Sequence, residues 1–136
     1  MKTIELTAEN FEDTVAKPGT MVLVDFWATW CAPCRAFAPI FEAAAERHSN
    51  VVFAKVDTEA QPELAAAFQI RAIPTLMAFR DGVLLLDQAG MLPAAALDEI
   101  IQKMSELDMD DVRSKLEAAK TDAAKNDNER KSAVNE

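Results

Sequence analysis

The stretch Val24–Cys34, "VDFWATWCAPC", contains both cysteines and both tryptophans of the 136-residue chain. Its first half continues the run "TMVLVDFWA", which is apolar except for Asp25 and reads as a strand buried on both faces. Its second half opens an alanine-rich segment, Cys31 to about Arg47, with Phe37, Ile40, Phe41 and Ala44 on one stripe of a helix. Pro39 inside that segment is expected to kink it, because proline removes a backbone donor and crowds the preceding turn. The cysteines therefore fall where a buried strand gives way to a helix.

A C-x-x-C pair is compatible with a metal half-site, a structural staple or a redox pair. A zinc site needs about four ligands, which two cysteines and the one distant His48 do not readily supply. The start, "MKTIELTAENFED", has no apolar core of a signal peptide. No apolar stretch approaches the roughly 18 residues that span a bilayer. A cytoplasmic location follows as the expectation, and persistent structural disulfides are rare there. A surface-lying redox pair is the reading that remains.

Working outward, "ENFEDTVA" gives a short helix that Thr7 is expected to cap and Pro18-Gly19 to stop. "NVVFAKVD" is a second buried strand, and "QPELAAAF" a short helix with Pro62 in its first turn, where a missing N–H does no harm. "PTLMAFRDGVLLLDQAG" is a hairpin around Asp81-Gly82, a favoured turn pair. "PAAALDEIIQKM" closes the domain as an amphipathic helix with Leu97, Ile100, Ile101 and Met104 inward. The order β-α-β-α-β-β-α, preceded by an edge strand at "KTIEL", predicts an α/β fold with a central mixed sheet flanked by helices on both faces. The length suits one such domain, here 1–107. Residues 108–136 form a charged extension without aromatics, expected to hold one short helix and then to be disordered. The net charge of −9 argues against nucleic acid or an anionic membrane as partner.

The strand–helix junction has chemical consequences. The first turn of a helix leaves N–H groups unpaired and carries partial positive charge, which favours an anion there. Cys31 at that end is expected to have a lowered pKa and to be the nucleophile, since the thiolate is the attacking species in disulfide exchange. Cys34, three residues on, shares its face and is the resolving thiol. Asp25 is a carboxylate in a buried strand, so desolvation should raise its pKa. Trp27 is read as packing beneath the cysteine loop, and His48 as an exposed residue after a helix.

"VDFWATWCAPC", Pro39 in the following helix, "IPT" at Ile73–Thr75, "RDG" and Ala89-Gly90 together resemble the thioredoxin family, in consistent order over about residues 1–107. A lowered pKa of the attacking thiol is a known property of that family. The resemblance implies the thioredoxin fold and a protein-disulfide reductase that acts as an electron carrier in cell redox homeostasis. It implies no bound cofactor beyond the Cys31–Cys34 disulfide/dithiol and no metal. It further implies that a thioredoxin reductase drawing on NADPH recharges the pair, that disulfide-containing client proteins are its substrates, and that the protein is a monomer. By the same resemblance Pro74 matches a cis-proline beside the thiols, and Ile73 pairs its backbone with the client. Trp30, Ala32, Pro33, Ile73, Pro74, Ala89 and Gly90 form the docking surface, Asp25 accepts the proton of the resolving thiol, and Lys55 modulates that acid. Between the cysteines stands Ala32-Pro33 where the family most often has Gly-Pro; the retained proline and the missing histidine point to a reductant. An oxidase or isomerase on the same scaffold, and a chaperone-like binding module, are the competing readings.

Overall fold

The computed structural model describes residues 2–134, with side chains described as far as residue 121. Its elements are β1 (Thr3–Glu5), α1 (Phe11–Val15), β2 (Met21–Trp27), α2 (Ala32–Arg47), β3 (Val51–Asp57), α3 (Pro62–Ala67), β4 (Thr75–Arg80), β5 (Val83–Ala89), α4 (Ala94–Glu106) and α5 (Met109–Val134). Five strands form one sheet in the order β1-β3-β2-β4-β5. β1 and β2 run parallel to β3 on either side, and β4 runs antiparallel to both β2 and β5. β2 thus lies at the centre, as a run apolar but for Asp25 demands.

Alternation along the strands divides the core in two. Leu23 of β2, Val51 and Phe53 of β3, and Leu76 and Ala78 of β4 pack against Phe37, Phe41 and Ala44 of α2 and Leu97, Ile101 and Met104 of α4. On the opposite face Val22, Val24, Phe26, Ala54, Val56, Met77 and Phe79 meet Phe11 and Val15 of α1, with Leu64, Phe68 and Ile70 from the α3 region. Helices cover both faces, as the element order predicts. Asp25, two residues beyond Leu23, lies on the α2–α4 side of the sheet.

Several local expectations are revised. Thr7 does not cap α1: the N-cap is Asn10, and Thr7 offers its carbonyl to the Phe11 amide at 3.0 Å instead. Asn10 Oδ1 accepts from the Thr7 amide at 2.7 Å, so a turn over 8–10 delays the helix. Pro39 lies inside a helix that continues to Arg47. His48 is half-buried rather than exposed; its Nε2 lies 2.6 Å from Asp98 Oδ1, which also accepts from Arg47 at 3.0 Å and so ties the end of α2 to α4.

The residues up to Ser105 and those from Glu106 form two separate compact units. In the second, helix α5 is longer than the expected short helix, with helical backbone to Val134. Asp108 starts it, its Oδ1 accepting from the amides of Asp110 and Asp111 at 3.0 and 3.2 Å. Exposed pairs Arg113–Asp110 and Lys115–Asp111 follow at helical spacing. The segment lacks glycine and proline, the two strongest helix breakers, and carries alanine and lysine, which favour helix. Residues 135 and 136 lie outside the described residues.

The β4–β5 turn holds Asp81 at φ 53° and Gly82 at φ 79°, the doubly left-handed geometry of a tight hairpin. A Cβ on Gly82 would also stand 3.3 Å from the Ala16 Cα. Gly82→Ala should therefore cost about 1–2 kcal/mol, read as a lower urea midpoint with an unchanged slope. An unaltered midpoint would show that the turn tolerates a side chain.

Candidate active site

β2 ends at Trp27, and α2 begins at Ala32. The intervening loop is held from both sides. The Trp27 carbonyl accepts from the Thr58 amide at 2.9 Å and hydroxyl at 3.1 Å, and the Thr29 carbonyl accepts from Arg35 Nη1 at 2.8 Å. The Cys31 amide closes the loop onto the Ala28 carbonyl at 3.2 Å. Cys31 is thereby the N-cap of α2, in extended backbone conformation, with Pro33 in the first turn where its missing N–H is harmless.

As N-cap, Cys31 turns its sulfur into the start of the helix. The Cys34 amide donates to Cys31 Sγ at 3.2 Å, using one of the donors that an uncapped helix leaves idle. The same three-residue step brings the two sulfurs into a disulfide. The pair is less open than a surface-lying site suggests: Cys31 is 4% exposed and Cys34 2%. The side chains cluster with Ala28, Trp27 and Ile73, which shield the sulfurs. Trp27 packs beneath the loop, as expected.

The loop before β4 completes the surroundings. Ile73 precedes Pro74 through a cis peptide bond, and its carbonyl lies 3.7 Å from Cys31 Sγ. The Pro74 carbonyl accepts from Gly90 at 2.8 Å, which brings Ala89 and Gly90 to the same rim. Ala32, Pro33, Ala89 and Gly90 are exposed, Ile73 is half-buried, and Pro74 is buried. Trp30 is 65% exposed, and its indole donates to Glu59 Oε1 at 2.7 Å. Beside it a cleft of about 180 Å³ runs along Thr58, Ala65, Ile70, Arg71, Ala72 and Ile73. Residue type gives no signal for Glu59: it is an ordinary acid in "DTEA", and only the fold sets it against the indole.

Asp25 is fully buried, and neither carboxylate oxygen has a hydrogen-bond partner among the described residues. Burial lifts its pKa from the ordinary 3.8 to about 7, against the opposing pull of the Lys55 ammonium. Lys55 stands beside Asp25 in the β2–β3 register, and its Nζ lies 4.8 Å from the centroid of the Trp27 ring. A chain of contacts thus runs from the sulfurs through Trp27 to Lys55. Among the described residues no group of three or more His, Cys, Asp or Glu is placed to hold a metal ion.

The raised pKa fixes the sign of a stability change. Below pH 3.8 Asp25 is protonated in both folded and unfolded chains; between there and about 7 only the unfolded chain releases the proton. Stability therefore falls as pH rises through that window, then levels. Asp25→Ala removes this penalty, so the variant's stability relative to the parent should rise by about 4 kcal/mol from the acid end of that window to its neutral end. Urea unfolding across that range measures it; a difference that does not change with pH would mean that Asp25 is not desolvated.

The Thioredoxin family model matches residues 2–106. "Putative thioredoxin 2" of Streptomyces coelicolor is 56% identical over 111 residues, covering 82% of each chain. Thioredoxin of Buchnera aphidicola is 40% identical over 75% of this chain and 95% of its own length. Thioredoxin of Porphyra purpurea is 38% identical over 76% and 97% respectively. The family match spans the whole sheet, the helix-capping cysteine pair and the proline loop. The chain belongs to the thioredoxin family and is a thiol–disulfide oxidoreductase that reduces protein disulfides through Cys31 and Cys34.

Proposed function

We propose that Cys31 is the attacking sulfur, Cys34 the resolving one, and Asp25 the acceptor of the Cys34 proton. The observation that carries this assignment is the Cys34 amide directed at Cys31 Sγ. In the reduced protein that donor, with the positive end of α2, stabilises charge on Cys31 and not on Cys34. The Cys31 thiolate attacks one sulfur of a client disulfide, forming a mixed disulfide and expelling the other client sulfur as a thiolate. Cys34 then passes its proton to Asp25 and attacks Cys31 Sγ. This releases the second client thiolate and leaves Cys31 and Cys34 joined. Two electrons have moved to the client, and the protein is the oxidised partner.

A carboxyl titrating at about 7 suits the proton transfer, because it is ionised often enough to accept and basic enough to hold. Lys55 modulates that balance through its charge. The client docks on Trp30, Ala32, Pro33, Ile73, Pro74, Ala89 and Gly90. The exposed members of this set, beside the 73–74 backbone, support an extended segment laid next to the sulfurs. An NADPH-dependent thioredoxin reductase returns the electrons, by analogy with the family. We also read the protein as a cytoplasmic monomer. No helix of the described residues is long and apolar enough to cross a membrane.

The assignment separates the two sulfurs experimentally. With dithiothreitol as electron source, Cys31→Ser should lose insulin reduction. Reduced, freed of dithiothreitol and then mixed with insulin, Cys34→Ser should accumulate one mixed disulfide per protein, visible by mass spectrometry, and Cys31→Ser should form none. An adduct on Cys34 in the Cys31→Ser protein, with none on Cys31 in the Cys34→Ser protein, would reverse the roles.

A further inference from the structure

One row of side chains crosses the sheet beneath the active site. Glu5 of β1 is in register with Lys55 of β3, and Lys55 is in register with Asp25 of β2. Parallel neighbours in register project to one face, so the row reads carboxylate, ammonium, carboxylate from the sheet edge inward. The inner acid is sealed from solvent; the outer one is exposed. On this side of the sheet opens a cleft of about 200 Å³, lined by Thr3, Ile4, Glu5, Trp27, Glu42 and Lys55. Glu42 reaches it from α2. The cleft lies toward the β1 edge, and none of its lining residues belongs to the client-docking surface.

Among the described residues lining the cleft, Lys55 is the one cation, and it is drawn three ways. Asp25 attracts it inward, the face of Trp27 holds it at 4.8 Å, and Glu5 and Glu42 attract it toward water. The other packed elements present apolar groups. Opposite Asp25 on β4 stands Leu76, and α4 contributes Leu97 and Ile101 to this face. Asp57, two residues along β3, turns its carboxylate to the amides of Glu59 and Ala60 at 2.9 and 3.3 Å.

We propose that Glu5 and Glu42 are positioning residues that act through Lys55 to set the pH at which Asp25 exchanges its proton. Outward pull on the ammonium weakens its hold on the Asp25 anion. The rim carboxylates therefore help keep Asp25 basic enough to accept a proton near neutral pH, in addition to the burial that raises it. The catalytic consequence rests on the reading of Asp25 as proton acceptor; the electrostatic one does not.

The test is a carbon-13 NMR titration of the Asp25 carboxyl in the oxidised full-length protein, alongside the pH profile of insulin reduction. Glu5 and Glu42 are exposed, so Glu5→Gln, Glu42→Gln and the double variant should all fold. The expected result is a fall of the Asp25 midpoint by roughly half a pH unit in the double variant, and less in each single one. The ε-methylene signals of Lys55 should move with it, since the ammonium shifts over the Trp27 ring. In a Lys55→Met background the same two substitutions should lose most of their effect. An Asp25 midpoint and Lys55 signals that stay put would overturn the proposal while leaving the thiol chemistry intact. A full shift surviving in Lys55→Met would overturn the route through Lys55. A midpoint that moves while the reduction profile does not would support the electrostatic role of Glu5 and Glu42 and remove Asp25 as the proton acceptor.

Discussion

The amide of Cys34 pointing at the sulfur of Cys31 is the contact on which the chemistry depends. It exists because Cys31 caps a helix, and Cys31 caps a helix because the loop from Ala28 is fastened at both ends. A helix start has donors to spare, and the Cys31 sulfur is the side-chain acceptor that meets one of them. The three-residue spacing has a second effect, bringing the other sulfur within bonding reach on the same face. In the proposed roles, activation and resolution therefore follow from one geometry, read at two atoms.

What surrounds the sulfurs limits access without closing it. Trp27 and Ile73 cover the pair, and both cysteines are buried. In the docking proposed above, a client brings its disulfide in beside Trp30 and the proline loop. Behind the sulfurs, the central strand carries an acid that the fold deprives of every hydrogen-bond partner among the described residues. A burial of this kind lowers stability and is retained where a group must titrate near neutral pH. The neighbouring lysine limits the loss without removing it.

Much of this is legible in the residues. The apolar run 21–27, the stripe Phe37–Phe41–Ala44 and the Asp81-Gly82 turn carry period and turn chemistry strong enough to define the sheet and its two helical layers. Asp25 stands out as the one charge in the buried run 21–27. The misses have physical causes. Thr7 and Asn10 are both good cap residues, and only the turn over 8–10 selects Asn10. His48 reads as exposed because its partner Asp98 lies fifty residues away on another helix. Glu59, Glu5 and Glu42 are invisible as site residues, since an acid on a surface loop, edge strand or helix face gains meaning only from what the fold sets against it. The helical backbone of α5 runs further than the short helix that the charged composition suggests.

In the proposed mechanism the helix start ionises one sulfur of the pair in preference to the other. The most direct measurement is the pH dependence of iodoacetamide alkylation in the reduced protein, with each cysteine followed separately by mass spectrometry. Cys31 should react first, with a rate that reaches half its maximum well below the roughly 8.5 of an ordinary thiol, while Cys34 resists modification. A Cys31 profile matching that of a cysteine in an unstructured peptide, or preferential alkylation of Cys34, would contradict it.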